Sequence, residues 1–219
     1  SMIKKQYQVL AILLAVALLP ACKDKTESET NLATSILDSF YVNEAPTNAQ
    51  QISAVFSDPI PGKEIVLAGE IMGRKQPFID GRAMVVLGDP TRITPCNRIL
   101  GDQCPTPWDT CCDDPEQVKK SITTIQFLDG DGRVLKSDIK GYKGIKELSF
   151  LTIKGTIAEG SNANNLLVNA TAFHVTDPSP YLDAEPVREY APCEHNLELN
   201  GEIKIDEDND IFIYSKDPI

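Results

Sequence analysis

Two stretches, Glu64–Met72 (EIVLAGEIM) and Ser149–Ala158 (SFLTIKGTIA), decide how this chain is read. In the first, Ile65, Leu67, Gly69 and Ile71 share one face; in the second, Leu151, Ile153, Gly155 and Ile157 do the same. A period of two is the signature of a half-buried strand. The glycine falls at the same place in both. Inside an apolar strand face glycine weakens the strand, so it points to sharp coiling or close approach of another backbone, as at the corner of a small barrel.

Three further strands complete the set: Gly81–Asp89 (GRAMVVLGD), Ser121–Leu128 (SITTIQFL) and Asn165–Val175 (NLLVNATAFHV). The turn Asp129-Gly130-Asp131-Gly132 leads from the third into Arg133-Val134-Leu135. It reads as a hairpin turn and not as a calcium loop, because the rest of the twelve-residue EF-hand pattern is missing. A short helical stretch, Gly141–Leu148, precedes the fourth strand. The order strand, strand, strand, short helix, strand, strand, with glycines inside the first and fourth, resembles the OB-fold, a five-stranded Greek-key barrel. The resemblance covers residues 62–177, with a β-sandwich as the structural rival. The expected class is therefore mainly β, with short helices, an insertion at 90–120 between strands two and three, and a C-terminal hairpin.

Upstream of the barrel, residues 32–61 read as two short helices. Thr30 or Asn31 can cap the first, with Leu32, Ile36, Leu37 and Phe40 on one face. Asn48 can cap the second, which carries Ile52, Val55 and Phe56 and ends at Asp58-Pro59-Ile60-Pro61-Gly62. Residues 22–31 are polar and aperiodic, as a tether is. Residues 1–21 read as a signal peptide: Lys4 and Lys5 precede an apolar run, Val9–Leu19, about half as long as a spanning helix needs. The ending Leu19-Pro20-Ala21-Cys22 resembles the bacterial lipobox. That resemblance implies cleavage before Cys22, lipidation of Cys22 and anchoring in the bacterial cell envelope, periplasm-facing or at the surface. The lipobox, the OB-like core and the insertion CPTPWDTCCDDPE together are also similar to lipoproteins of planctomycete-type bacteria, a likeness that implies no chemistry.

Net charge is −11 over 219 residues, and loss of residues 1–21 removes two lysines and no acid, leaving −13. Residues 178–219 are an acidic linker followed by a hairpin, Gly201–Asp206 and Asp210–Ser215, with 11 acids and three bases from residue 179 onward. This bias disfavours nucleic acid as a partner. In the OB-fold, ligands lie across strands two and three and the loops joining strands one to two and four to five. The first of those loops holds Arg74, Lys75 and Phe78, with Arg82 just beyond, a basic and aromatic-bearing candidate binding face.

The insertion contains Cys96, Cys104, Cys111, Cys112 and the only tryptophan, Trp108; Cys193 and His195 stand in the tail. A loop of this length without its own core needs staples. An oxidising compartment favours disulfides. Without Cys22, five cysteines remain, enough for two disulfides and one thiol. Adjacent Cys111 and Cys112 bridge each other only with strain, so each is expected to find a separate partner among Cys96, Cys104 and Cys193. The alternative is a soft site for zinc or copper, drawn from the same five cysteines and His195. His174 falls on the face of Leu166, Val168, Ala170 and Ala172, where a packed, hydrogen-bonded role is expected. None of the nucleophile-elbow, H-E-x-x-H, P-loop or G-x-G-x-x-G motifs occurs. The expected protein is non-catalytic, needs no cofactor beyond the lipid on Cys22, and binds an envelope protein or other ligand; the alternative uses the cysteines for metal or thiol-redox chemistry.

Overall fold

The computed structural model describes residues 34–181 and 183, with the backbone of strands at 188–189, 201–205 and 211–215. The expected signal peptide, tether, helix cap at Thr30 or Asn31, Cys22, Cys193 and His195 lie outside those residues. Helix α1 spans 34–40. It is followed by β1 (Gln50–Gln51), α2 (Ile52–Phe56), β2 (Glu64–Glu70), β3 (Met84–Gly88), β4 (Ile99–Leu100), α3 (Pro115–Lys120), β5 (Ile122–Gln126), β6 (Phe150–Ile157) and β7 (Leu167–Thr176). Beyond these come β8 (Arg188–Glu189) and the antiparallel pair β9 (Gly201–Ile205) and β10 (Ile211–Ser215), the expected C-terminal hairpin.

Strand order β2-β3-β5-β7-β6, closed by β6 on β2, makes a five-stranded barrel with OB-fold topology. The glycine-bearing stretches pair with each other, antiparallel from Glu64 opposite Thr156 to Glu70 opposite Phe150. β3 and β5 run antiparallel, and β5 and β7 parallel. Both strand glycines are sites of close approach. A Cβ on Gly155 would sit 2.3 Å from the Asn169 carbonyl oxygen, and one on Gly69 would sit 2.8 Å from that of Gly88.

At Gly155 the β6–β7 register slips, so that Lys154 faces Ala172 while Gly155 faces Ala170, and Thr171 is the extra residue. Such a bulge reverses which side chains face inward. Phe173 is therefore fully buried, and His174 leaves the Val168–Ala170 face on which the alternation placed it. Its Nδ1 lies 3.0 Å from the Val42 carbonyl oxygen, and its ring stacks on Tyr41. Phe173 meets Phe127 edge-on with centroids 5.2 Å apart, and Phe40 of α1 adds a third ring on Phe127.

The connection from β5 to β6 was expected to be helical over Gly141–Leu148, but it forms only a 3₁₀ turn at Tyr142–Gly144. Gly141, Lys143, Gly144 and Leu148 all have positive φ, which interrupts any longer helix. The first turn of α2 also departs from expectation. Asn48 has φ of 60° and the N-cap is Gln51, which makes no side-chain cap bond. Its place is taken by Asp89, just beyond β3, whose Oδ2 accepts from the Ser53 backbone N–H at 3.2 Å and hydroxyl at 2.8 Å. The other oxygen accepts from the Thr91 N–H and hydroxyl. The Asp129 turn is a side-chain-closed bend: Oδ1 accepts the N–H groups of Asp131 and Arg133.

Candidate functional site

The insertion leaves β3 through Ile93 and Cys96, crosses to β2, and returns through α3 to β5. Asp114 caps α3 by accepting the Gln117 N–H, and Pro115 occupies its first turn, both favourable at a helix N-terminus. α3 leads directly into β5, and its Lys119 shares a groove with Val86 of β3 and Thr124 of β5, the strands across which an OB-fold takes its ligands. Three adjoining grooves follow from this placement. The largest, about 700 Å³, runs between α2 and α3 past Ser53, Arg92 and Gln117. The second, about 530 Å³, lies between Arg74-Lys75 and α3 and reaches Cys111. The third narrows to about 70 Å³ over Val86, Thr124 and Asn165, with Arg74 and Lys119 at its rim.

The four residues chosen from sequence separate here. Arg74 and Lys75 are exposed; both line the second groove and Arg74 also the third, and neither is in an ion pair among the described residues. Phe78 is half-buried against the barrel core, bridged to Val85, with the Lys140 ammonium 5.4 Å from its ring centroid. Arg82 is exposed and stands away from the grooves, because the chain turns at Gly81 (φ 67°) and the strand begins only at Met84.

Glu70 and Arg98 bind the insertion to the barrel. Arg98 Nη2 donates to both carboxylate oxygens of Glu70 at 2.7 Å and to the Tyr181 carbonyl at 3.1 Å. The guanidinium also lies over the Tyr181 ring, and the Ser179 hydroxyl reaches Glu70 at 3.4 Å. Glu70 is 1% exposed and Arg98 5%. Burial raises the Glu70 carboxyl above its ordinary value, against the lowering pull of Arg98 and Ser179. Strand β4, immediately after Arg98, pairs in parallel with β8, so insertion and tail share a small sheet. Strand alternation puts Glu70 opposite the barrel core, on the side that reads as solvent. Its burial comes from the insertion and tail, whose path no local pattern reveals.

The cysteines converge. The Cys96 N–H donates to the Asp109 carbonyl at 2.8 Å and the Asn97 N–H to that of Pro107 at 2.9 Å, folding 106–111 back onto the 3₁₀ turn Cys96–Arg98. The Trp108 indole N–H meets the Lys75 carbonyl, and the Gly73 N–H meets the Trp108 carbonyl. In consequence the sulfurs of Cys96, Cys104 and Cys111 all lie within 4.8 Å of one another. These three carry thiols and Cys112 is disulfide-bonded, so the described insertion holds one bonded cysteine where two disulfides were expected. The Cys112 partner is outside the described residues. Burial pushes the thiols of Cys96 and Cys111 up from their ordinary value.

Fold and site together define a closed, OB-fold-like barrel carrying a cysteine-bearing insertion that is tied to it by a buried ion pair. No protein-family model and no curated protein matches the chain. Among the described residues no helix is long and apolar enough to cross a membrane.

Proposed function

We propose that this chain is a lipid-anchored bacterial envelope protein that works by binding, with the grooves around α3 receiving a segment of a partner protein. The observation that carries the reading is the meeting of three grooves around α3, with exposed Arg74 lining two of them and exposed Lys75 one. Mixed charge along the grooves, with Arg92 and Lys119 beside Asp113 and Glu116, suits a polar peptide segment better than a phosphate polymer. His174 is engaged by Val42 and Tyr41, which supports a non-catalytic role for it.

Lipid on Cys22 leaves five cysteines. With thiols at Cys96, Cys104 and Cys111, it also leaves Cys193 as the partner of Cys112, which would tie the tail to the insertion. Intact mass should then rise by two protons on reduction. Pull-down from detergent-solubilised envelope tests the groove. A partner recovered by the native chain and lost with Arg74→Glu/Lys75→Glu supports the reading; equal recovery by both, or recovery of nothing, sinks it. A Cys22→Ala variant that still partitions into detergent with a lipid mass shift sinks the anchor.

A further inference from the structure

Cys96, Cys104 and Cys111 come from three separate parts of the insertion, and their meeting is made by backbone bonds rather than by the sulfurs. The Cys96 N–H to Asp109 bond sets the first and third, and the Cys104 N–H is held by the Asp102 carboxylate at 2.9 Å. The Cys96 and Cys111 sulfurs are 3.6 Å apart. Bonded sulfurs stand about 2.05 Å apart. Sulfurs sharing a tetrahedral ion at ~2.3 Å stand about 3.8 Å apart, close to the separation of this pair, and the Cys104 sulfur lies within 4.8 Å of both.

We propose that Cys96, Cys104 and Cys111 form a binding site for a thiophilic d¹⁰ cation, zinc(II) or copper(I). Three thiols are an odd set: oxidation joins two and strands the third, whereas a cation takes all three. Soft thiolate donors select these two ions over harder ones. Each thiol loses a proton as its sulfur binds, so three protons leave as one cation enters, and the site then carries −1 with zinc or −2 with copper(I). The groove onto which Cys111 opens is lined by Arg74, Lys75 and Lys119 and by Asp109, Asp113 and Glu116 in equal number, so the site's own charge stands in a mixed polar groove. Copper(I) is satisfied by three thiolates; zinc takes a fourth ligand, which solvent entering the groove at half-buried Cys111 would supply. Cys112 is excluded by its disulfide, although its sulfur is 4.0 Å from that of Cys111. The site does not depend on the partner-binding reading.

The test uses the mature lipoprotein in detergent, purified anaerobically, stripped by a chelator and titrated separately with zinc(II) and copper(I). One equivalent of either ion is expected, with all three thiols protected from alkylation and thiolate-to-metal charge transfer on cobalt(II) substitution. The arm that saturates under chelator competition identifies the cation. Cys96→Ser, Cys104→Ser and Cys111→Ser should each weaken binding by at least about tenfold, while Cys112→Ser keeps the stoichiometry. If the serine variants fail to fold, thiol protection in the native chain alone decides. No uptake above the triple-serine variant, no protection in the native chain, or a Cys96–Cys111 disulfide in protein alkylated directly in cells overturns the proposal.

Discussion

The barrel and the insertion are held by different forces, and the difference shows most clearly in how each treats a charged residue. In the barrel, side chains at every second position pack Ile65, Leu67, Leu151 and Ile153 into a single core, and the glycines let strands coil closely. In the insertion little apolar surface is buried beyond Ile93, Cys96 and Ile99. Its shape rests on carboxylates accepting backbone N–H groups at Thr94 and Cys104, on the Trp108 indole, and on Arg98. A region built this way stores its stability in a few strong polar contacts, so single substitutions there should act more abruptly than in the core.

Arg98→Ala is the largest break. It leaves the Glu70 carboxylate buried without its counter-charge, which costs about 3–5 kcal/mol. Glu70→Leu/Arg98→Met, which removes both charges, should recover most of that loss in urea denaturation. The pH dependence has a definite sign. A carboxyl raised above its unfolded value favours folding most below the unfolded value and loses that contribution as pH climbs through the folded one. Removing Arg98 takes away a lowering influence and widens the interval. The Arg98→Ala deficit should therefore be greatest at neutral pH and smallest below about pH 4. A deficit independent of pH would show that packing on Tyr181, and not the charge, is what Arg98 contributes.

Gly155→Ala tests the barrel side. The new Cβ meets the Asn169 carbonyl oxygen, a backbone atom that cannot swing away, so β6 and β7 must part; the expected loss is about 1–3 kcal/mol. Gly130, with open space around it and no positive φ, should accept alanine with a change within about 0.5 kcal/mol. Equal losses at the two sites would mean that close strand approach does not explain the glycine at 155.

The contrast between the regions also explains what could be read from the chain. Alternation and the repeated glycine are local patterns, so the five strands and their order were legible, as was the hairpin at Asp129. The β7 bulge was not, because one unpaired Thr171 changes the inward face without changing residue type. Asp89 as the cap of α2 was hidden for another reason: the donor Ser53 lies 36 positions away, and only the barrel brings them together. The cysteines marked the insertion as stapled. Which of them cluster depends on the Asp109–Cys96 and Pro107–Asn97 backbone bonds, a tertiary fact without a sequence period. Arg74 and Lys75 stand in the loop after β2, where OB-fold topology sets the loop position, whereas Arg82 stands apart from the grooves because the chain turns at Gly81 and β3 begins only at Met84.

Trp108→Phe carries the smallest expected effect of the substitutions that remove a contact, and it separates the two regions most finely. It removes the indole N–H bond to the Lys75 carbonyl while keeping an aromatic ring of similar reach. A net hydrogen bond contributes about 0.5–1.5 kcal/mol, and the partly exposed position places this one at the lower end. Because the barrel core does not include Trp108, the urea midpoint should shift little. Amide exchange should report the change locally. The Gly73 N–H bond to the Trp108 carbonyl and the Cys96 N–H bond to Asp109 should open more often, while Ile153 and Phe173 in the sheet keep native protection. If protection falls equally in the sheet, then insertion and barrel unfold as one unit, and the Glu70–Arg98 pair couples them more tightly than their separate packing implies.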